Sequence, residues 1–400
     1  MTHRSILVSL AGVMLVACGG EAASAPPPAA NPPAPTAVAA APTPSSTGGS
    51  AEAATPPPVA PKAPMNELQK KTLDAFYAAF NAHDAAKCAA AYAADATMTE
   101  SAPMGGTVDH KGRDEIQKTF AGIFADFPDA KVAGPRHLSV KNTVIEEFVF
   151  AGTNTGTNGS MPATKKPVGV MAAAVQTYGD DGLIATERVY MDSGTMAGQL
   201  GFSPKKVRPV AQLPTGDDWV VAKGDDGEKK NADMIAKSFE AMNAHDAKAA
   251  SAFMATDSVE MDSSMPEDVK GPKASEKGMG NLFKTFPDVK LAADNVYAAG
   301  DWVAIDGTFT GTQKGQMGPF KPTQKAVNVK FVELNRVKDG KVVEVHRYYS
   351  STDMMAQLGL MPKPKDAKPA ADKAADKKAD GKPTDKAAEK PAEKKPAPTK

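Results

Sequence analysis

Asn81-Ala82-His83-Asp84 recurs as Asn243-Ala244-His245-Asp246, an offset of 162 residues. Phe127-Pro128-Asp129 recurs as Phe286-Pro287-Asp288, an offset of 159. Gly152-Thr153-Asn154-Thr155-Gly156-Thr157 is matched by Gly307-Thr308-Phe309-Thr310-Gly311-Thr312 at 155, and Gln199-Leu200-Gly201-Phe202-Ser203-Pro204 by Gln357-Leu358-Gly359-Leu360-Met361-Pro362 at 158. Four matches in one order, with an offset that drifts by only a few residues, mark a duplicated structural unit.

Each copy carries the same sequence of periodicities. In the first, Leu68, Leu73, Phe76, Tyr77 and Phe80 fall near helical spacing and predict a helix over 66–81; Ile235, Phe239 and Met242 predict its counterpart over 232–243. Asp84 and Asp246 then stand as N-caps of a second helix. Short strands are predicted at 97–100 and 259–262, and third helices at 113–126 and 273–285. Phe-Pro-Asp ends the latter, because proline disfavours helix at the residue before it. The remainder reads as strand: 132–140, 143–154, 168–178 and 183–192, then 290–299, 302–310, 327–337 and 342–349. Asp181-Gly182 and Asp339-Gly340 are the hairpin turns that join the last two strands of each copy. Short final helices follow at 196–200 and 354–358. Helices first and antiparallel strands after predict an α+β fold: two tandem domains, each a curved, mostly antiparallel sheet wrapped by about three helices.

The two domains account for 65–204 and 231–362, joined by a Lys-, Gly-, Asp- and Pro-rich linker at 205–230 that Trp219-Val220-Val221 could pin to a domain. The flanks have another character. Residues 18–64 form a Pro/Ala-rich tether, and 363–400 are almost wholly Lys, Ala, Asp, Glu and Pro. Neither has the apolar side chains needed to offset the entropy of ordering, so both are expected to be disordered. Net charge is zero over the 400 residues, yet the tail holds twelve Lys against seven acids. It reads as a solvated spacer or as a segment that rests on an anionic surface. No aromatic residue interleaves with its lysines, which excludes a nucleic-acid interface there.

At the start, Thr2-His3-Arg4 precedes an apolar run, Ile6 to Val16, too short to span a bilayer. It ends in Leu15-Val16-Ala17-Cys18-Gly19, which resembles the lipobox of bacterial lipoproteins. The resemblance implies a signal peptide over 1–17, lipidation of Cys18, membrane attachment through that lipid and sorting to the outer membrane; a plain signal peptide with an incidental cysteine is the alternative. Cys88 then has no disulfide partner and reads as a small buried residue.

The order helix, Asn-x-His-Asp, helix, Phe-Pro-Asp, Gly-Thr-x-Thr-Gly, Asp-Gly turn, Tyr-bearing strand and Gln-Leu-Gly-x-x-Pro is similar to the SnoaL-like polyketide cyclase or ester cyclase family, over 66–204 and 231–362. The resemblance implies the nuclear transport factor 2-like fold, a cone around an apolar ligand pocket, and an acid/base residue on the last strand. That residue falls seven positions before the Gln of Gln-Leu-Gly: Asp192 in the first copy, Ser350 in the second. The second copy thus departs from the pattern.

Alternation along the last strand places Arg188, Tyr190 and Asp192 on one face of the first copy, and His346, Tyr348 and Ser350 on the same face of the second, with Glu344 before them. Such a polar and aromatic row could line a pocket in which a desolvated carboxylate serves as a base. Asp192 could equally cap the final helix, and the two roles are compatible. His346 is either a second acid/base group or a hydrogen-bonded structural histidine; Trp302 stacks on a ligand or simply packs. His83 and His245 read as turn-packing residues. The many methionines, Met98, Met104, Met161, Met254, Met261 and Met317 among them, suit either core or an adaptable apolar pocket.

There is no glycine-rich phosphate loop, no metal-ligand spacing and no Gly-x-Ser-x-Gly elbow, so no cofactor or metal is expected. Two function classes stay open. One is an envelope-anchored binding module for a small apolar molecule or a protein partner. The other is an ester cyclase-like enzyme with Asp192 as general acid/base in the first domain. The copies are expected to pair within the chain as a pseudo-dimer, since each lone sheet would otherwise expose an apolar face.

Overall fold

The computed structural model describes residues 63–103, 105–156, 162–203 and 206–361. The leader, Cys18, most of the tether, Met104, Met161, Pro204 and the charged tail lie outside the described residues. The first domain runs α1 (Met65–Asn81), α2 (Ala85–Ala90), β1 (Tyr92–Ser101), β2 (Thr107–Lys111), α3 (Arg113–Asp126), β3 (Lys131–Val140), β4 (Thr143–Thr153), β5 (Pro167–Tyr178), β6 (Ile184–Met191) and α4 (Ser193–Leu200). After β7 (Asp218–Val221) the second repeats the series as α5 (Asp226–Asn243), α6 (Ala247–Ser251), β8 (Met254–Asp262), β9 (Val269–Lys270), α7 (Pro272–Thr285), β10 (Lys290–Ala299), β11 (Trp302–Thr312), β12 (Ala326–Lys338), β13 (Lys341–Tyr349) and α8 (Ser351–Gln357). Among the described residues no helix is long and apolar enough to cross a membrane.

The strand orders are β2-β1-β6-β5-β4-β3-β7 and β10-β11-β12-β13-β8-β9. Pairing is antiparallel except for β1 with β6, β8 with β13 and β7 with β3. Each sheet curls over its own helices. Leu73 and Phe80 of α1, Ile116 and Phe120 of α3, and Val144, Phe150, Val168 and Val170 of the strands close one core. Ile235, Phe239, Ile305, Phe331 and Val345 close the other.

The Asn-Ala-His-Asp motif is a clip between helix and sheet, built the same way twice. Asn81 exchanges two hydrogen bonds with the backbone of Val132 on β3, and Asn243 does so with Leu291 on β10. His83 and His245 take a left-handed backbone conformation, φ +58° in both. That turns their rings onto the carbonyls of Ala130 and Val289, at 2.7 and 3.0 Å. Asp84 and Asp246 cap α2 and α6 through Lys87 N and Ala249 N. The four residues recur because the clip sets the angle at which each helix pair enters its sheet.

Three features depart from the sequence reading. The strands at 97–100 and 259–262 extend to β1 and β8 and fold back as β2 and β9. The linker is partly regular: β7 extends the first sheet beside β3, and α5 begins at Asp226 behind an Asp225 cap. The Gly-Thr repeat is also shifted by four residues. Gly152 corresponds to Gly311, not Gly307: Gly152 lies against Phe127 and Ala130, as Gly311 lies against Phe286 and Val289. Asp129 accepts from Thr153 N as Asp288 accepts from Thr312 N. The offset is then 159, the same as at Phe-Pro-Asp.

Both domains belong to one compact unit. The sheet faces turned away from the helices meet in a third core: Leu138, Ile145, Ala173, Val175 and Tyr190 against Met261, Trp302, Ala304, Val332, Leu334 and Tyr348. Burying each large apolar side chain contributes about 1.5–3 kcal/mol. The polar contacts are reciprocal. Tyr190 OH donates to Asp306 Oδ1 at 2.6 Å, and the corresponding Tyr348 OH donates to Glu147 Oε1 at 2.6 Å. Asp306 and Glu147 occupy equivalent register positions on β11 and β4. Such self-complementary exchange is what a two-fold interface between like units produces.

Candidate functional site

The anticipated row on the last strand faces the other domain, not the cone. Tyr190 and Tyr348 are buried in the shared core. His346 Nδ1 lies 2.6 Å from Glu147 Oε1, and Glu344 pairs with Arg336 at 2.9 Å. Trp302 packs under the Arg136 guanidinium, 3.7 Å from the ring centroid, so its stacking partner belongs to the protein. Arg188 borders a cleft between the domains, and Ser350 caps α8. The inward face carries Glu187 and Met191 in the first domain, and Val345 and Tyr349 in the second.

Asp192 is a double cap. Oδ2 accepts from Thr195 N and Oγ1 at 2.8 and 2.7 Å, at the start of α4. Oδ1 accepts from Ser351 N and Oγ at 2.8 and 2.6 Å, at the start of α8 in the other domain. Both oxygens are committed to helix termini, and the residue is buried. Of the two compatible roles the sequence offered for this residue, these contacts show the capping one.

The cone of the first domain holds a different set of titratable groups. Glu146 and Glu187 project inward from β4 and β6, 3 % and 7 % exposed, which is rare for carboxylates without compensation. Tyr77 of α1 donates a short hydrogen bond to Glu146 Oε1. Gln176 donates to Glu187 Oε1 at 2.8 Å, Tyr92 donates to Oε2 at 2.6 Å, and Tyr178 donates to Gln176 at 2.8 Å. His137 on β3 sits 3.4 Å from the Tyr77 hydroxyl, with Nδ1 3.0 Å from Asp217 Oδ1 in the linker. Trp219 of β7 lies against the same imidazole.

Burial dominates the protonation states. Desolvation, helped by the neighbouring Glu187, pushes Glu146 up to about 8 against the opposing Tyr77 hydrogen bond. Glu187 is raised chiefly by burial. Burial also drives Tyr77, Tyr92 and Tyr178 upward, so they stay neutral donors. It lowers His137, partly offset by Asp217, which keeps the imidazole neutral. A cleft of about 330 Å³ reaches the Tyr77 and His137 edge of this cluster, bordered also by Leu73, Val132, Gly134, Asp217 and Trp219, with Glu146 behind Tyr77. Gly134 is what keeps it open: a β-carbon there would lie 2.8 Å from His137 Nε2 and against the Tyr77 hydroxyl.

The second cone lacks this cluster. By strand register and the helix clips, Tyr77, Glu146, Tyr178 and Glu187 correspond to Phe239, Ile305, Val337 and Val345, all buried in the second core. Its inward charges are self-paired instead: Arg347 meets Glu333 at 2.7 Å and Asp262 at 4.0 Å. Met98, Met254, Met261 and Met317 all sit in or against the cores. No group of three or more His, Cys, Asp and Glu among the described residues could hold a metal ion.

A SnoaL-like domain model matches residues 73–187, and a SnoaL-like polyketide cyclase model matches residues 232–358. The chain carries two SnoaL-like domains in tandem. No curated protein matches the chain. Similar solved structures include AclR of Streptomyces galilaeus, a suggested hydroxylase: 26 % identity over 34 % of this chain and 89 % of that one, TM-score 0.31. A protein of ketosteroid isomerase-like fold from Catenulispora acidiphila, in complex with trimethylamine, has 21 % identity over 32 % and 92 %, TM-score 0.28. TsrD of Streptomyces laurentii has 17 % over 34 % and 98 %, TM-score 0.31.

The signal for the inner SnoaL-domain site was present in the sequence but easily passed over. Glu146-Glu147 interrupts the apolar run Val144-Ile145 and Phe148-Val149-Phe150 on a central strand, and adjacent carboxylates there must both be buried, one on each face.

Proposed function

We propose that this chain is an exported, lipid-anchored protein whose first SnoaL-like domain binds a small, largely apolar molecule in its cone and transfers a proton on it. The second domain serves as its intramolecular pseudo-dimer partner, covering the back of the sheet that carries the site. The leader ending at Ala17-Cys18 supports attachment to the cell envelope. The observation that carries the reading is the buried Glu146, hydrogen-bonded to Tyr77, which borders an open cleft together with His137; an apolar residue replaces Glu146 in the second copy.

The chemistry follows from the protonation states. A carboxyl that titrates near neutral pH is matched to general-base work. In the ionised form Glu146 takes a proton from a carbon beside a ligand carbonyl. As Glu146 takes the proton, the Tyr77 hydroxyl is released from the carboxylate to which it donates in the free protein, and its one O–H turns to the ligand oxygen on which charge develops. His137, held by Asp217, keeps the Tyr77 hydroxyl in place.

The test uses 1-indanone, a small apolar ketone, and follows deuterium exchange at the carbon beside its carbonyl by NMR; Trp219 fluorescence reports binding. The wild-type protein accelerates exchange with an inflection near the Glu146 titration. Glu146→Gln loses about a hundredfold or more of that acceleration and still binds. Exchange that survives Glu146→Gln, or disappears in Asp192→Asn, overturns the assignment.

A further inference from the structure

The two-fold pairing creates two equivalent slots along the domain boundary, and they differ in what they hold. In one, the linker lies in the slot. Ala211 N donates to Gly169 O at 2.9 Å, the Val207 side chain abuts Gly198, and Arg208 reaches Asp262 O at 3.1 Å and the Asp268 carboxylate at 2.8 Å. Gln199 clamps Gly169 through its amide. In the other slot Gln357 clamps Asn328 in the same way, at 2.7 and 2.9 Å, but the space beside it is a cleft of about 270 Å³.

The charges in the open slot are unequal in their commitments. The acids on its border are engaged: Glu100 with His110 at 3.0 Å, and Asp353 with Gly106 N at 2.9 Å and Gln357 at 3.1 Å. Arg188 is half-buried and makes no hydrogen bond or ion pair with any described residue. Its counterpart His346 is bound by Glu147, but the shorter Asp306, equivalent to Glu147, is taken by Tyr190 and Asn295. The substitution of Asp for Glu therefore releases a guanidinium into the cleft. Lys330 stands opposite on β12, where the filled slot has Met171, with the Asn328 amide beside it.

We propose that this interdomain cleft is a binding site for a small organic anion, with its carboxylate on Arg188 and Lys330. A partly desolvated guanidinium without a partner favours a planar anion that it can grip with two parallel hydrogen bonds. The cleft volume admits a molecule of dicarboxylate or aromatic-acid size. The site is separate from the Glu146 cone, because Arg188 and Glu187 are on opposite faces of β6.

Calorimetric titration of the full-length protein with succinate, benzoate and inorganic phosphate at low ionic strength tests the proposal. Saturable binding of at least one carboxylate is expected. Arg188→Gln weakens it about tenfold or more, and Arg188→Lys, which keeps the charge but not the fork, gives an intermediate loss. Lys330→Gln weakens it less, since that ammonium is shared with Asp294. Glu146→Gln leaves it unchanged, so failure here is distinguishable from failure of the cone reading. Binding of phosphate without either carboxylate, equal affinity in Arg188→Gln with an unchanged melting temperature, or no saturation by about 10 mM overturns it.

Discussion

Replacing Asp192 by Ala removes one carboxylate and breaks four hydrogen bonds at the first turns of two helices in two domains. Losing one N-cap costs typically about 1 kcal/mol, and a buried N–H left without a partner costs about 1–3 kcal/mol. Thr195 is buried and Ser351 half-buried, so water replaces the carboxylate poorly. The two caps share one residue and do not add fully; the expected loss is about 2–4 kcal/mol. For a folded unit of this size that corresponds to roughly 5–15 °C in melting temperature. Asp192→Asn keeps one acceptor oxygen and should cost about half as much. Ser350→Ala, which removes a longer bond from Asp353 N at 3.3 Å and a hydroxyl contact with Thr352 Oγ1 at 2.9 Å within one domain, should cost less than Asp192→Ala. Urea unfolding followed by circular dichroism and by tryptophan fluorescence measures all three, with Trp302 reporting the interface. Wild-type stability in Asp192→Ala, or loss of ligand binding in a fully stable Asp192→Asn, would refute the capping assignment and return the residue to chemistry.

Four further outcomes are expected. Glu146 is raised to about 8 from an ordinary 4.5, so its neutral form contributes stability that is complete below about 4.5 and is lost as pH rises through 8; Glu146→Gln should flatten that alkaline slope in urea titrations. Glu147 behaves oppositely: burial alone would push it up, but His346, Arg136 and Tyr348 outweigh burial and hold it at about 2. Its contribution is therefore present above about 4.5 and lost as pH falls toward 2, and acid unfolding of Glu147→Gln should lack that component while starting from a less stable protein. Gly134→Ala forces His137 or Tyr77 to move and should cost about 1–3 kcal/mol while abolishing ligand quenching of Trp219. The Cys88 thiol, pushed up to about 12 chiefly by burial and further by Asp84, should not react with Ellman's reagent until the protein unfolds.

Much of the architecture was legible in the primary sequence because it rests on local rules. Asp84 and Asp246 as caps, Phe-Pro-Asp as a helix stop, and Asp339-Gly340 as a hairpin turn with both residues at positive φ each depend on backbone chemistry within a few residues. The Gly-Thr repeat misled because low-complexity matches tolerate a four-residue slip; only the packing of Gly152 and Gly311 against their Phe-Pro-Asp turns resolves it. The orientation of the last strand was hidden for another reason. Alternation on the last strand separated Arg188, Tyr190 and Asp192 from Glu187 and Met191 correctly, yet nothing in a period of two says which set faces inward.

Sequence alone determined that this chain holds two copies of one SnoaL-like unit, in the right element order, because duplication and turn chemistry leave marks at fixed spacing. Tertiary structure decided which side chains each face of the sheet presents. The central strands β4, β5, β11 and β12 are buried on both faces, by helices on one side and by the other domain on the other. A strand covered on both sides loses its polar-apolar alternation. Only the folded pair, therefore, assigns Glu146 to the cone and Glu147 to the interface.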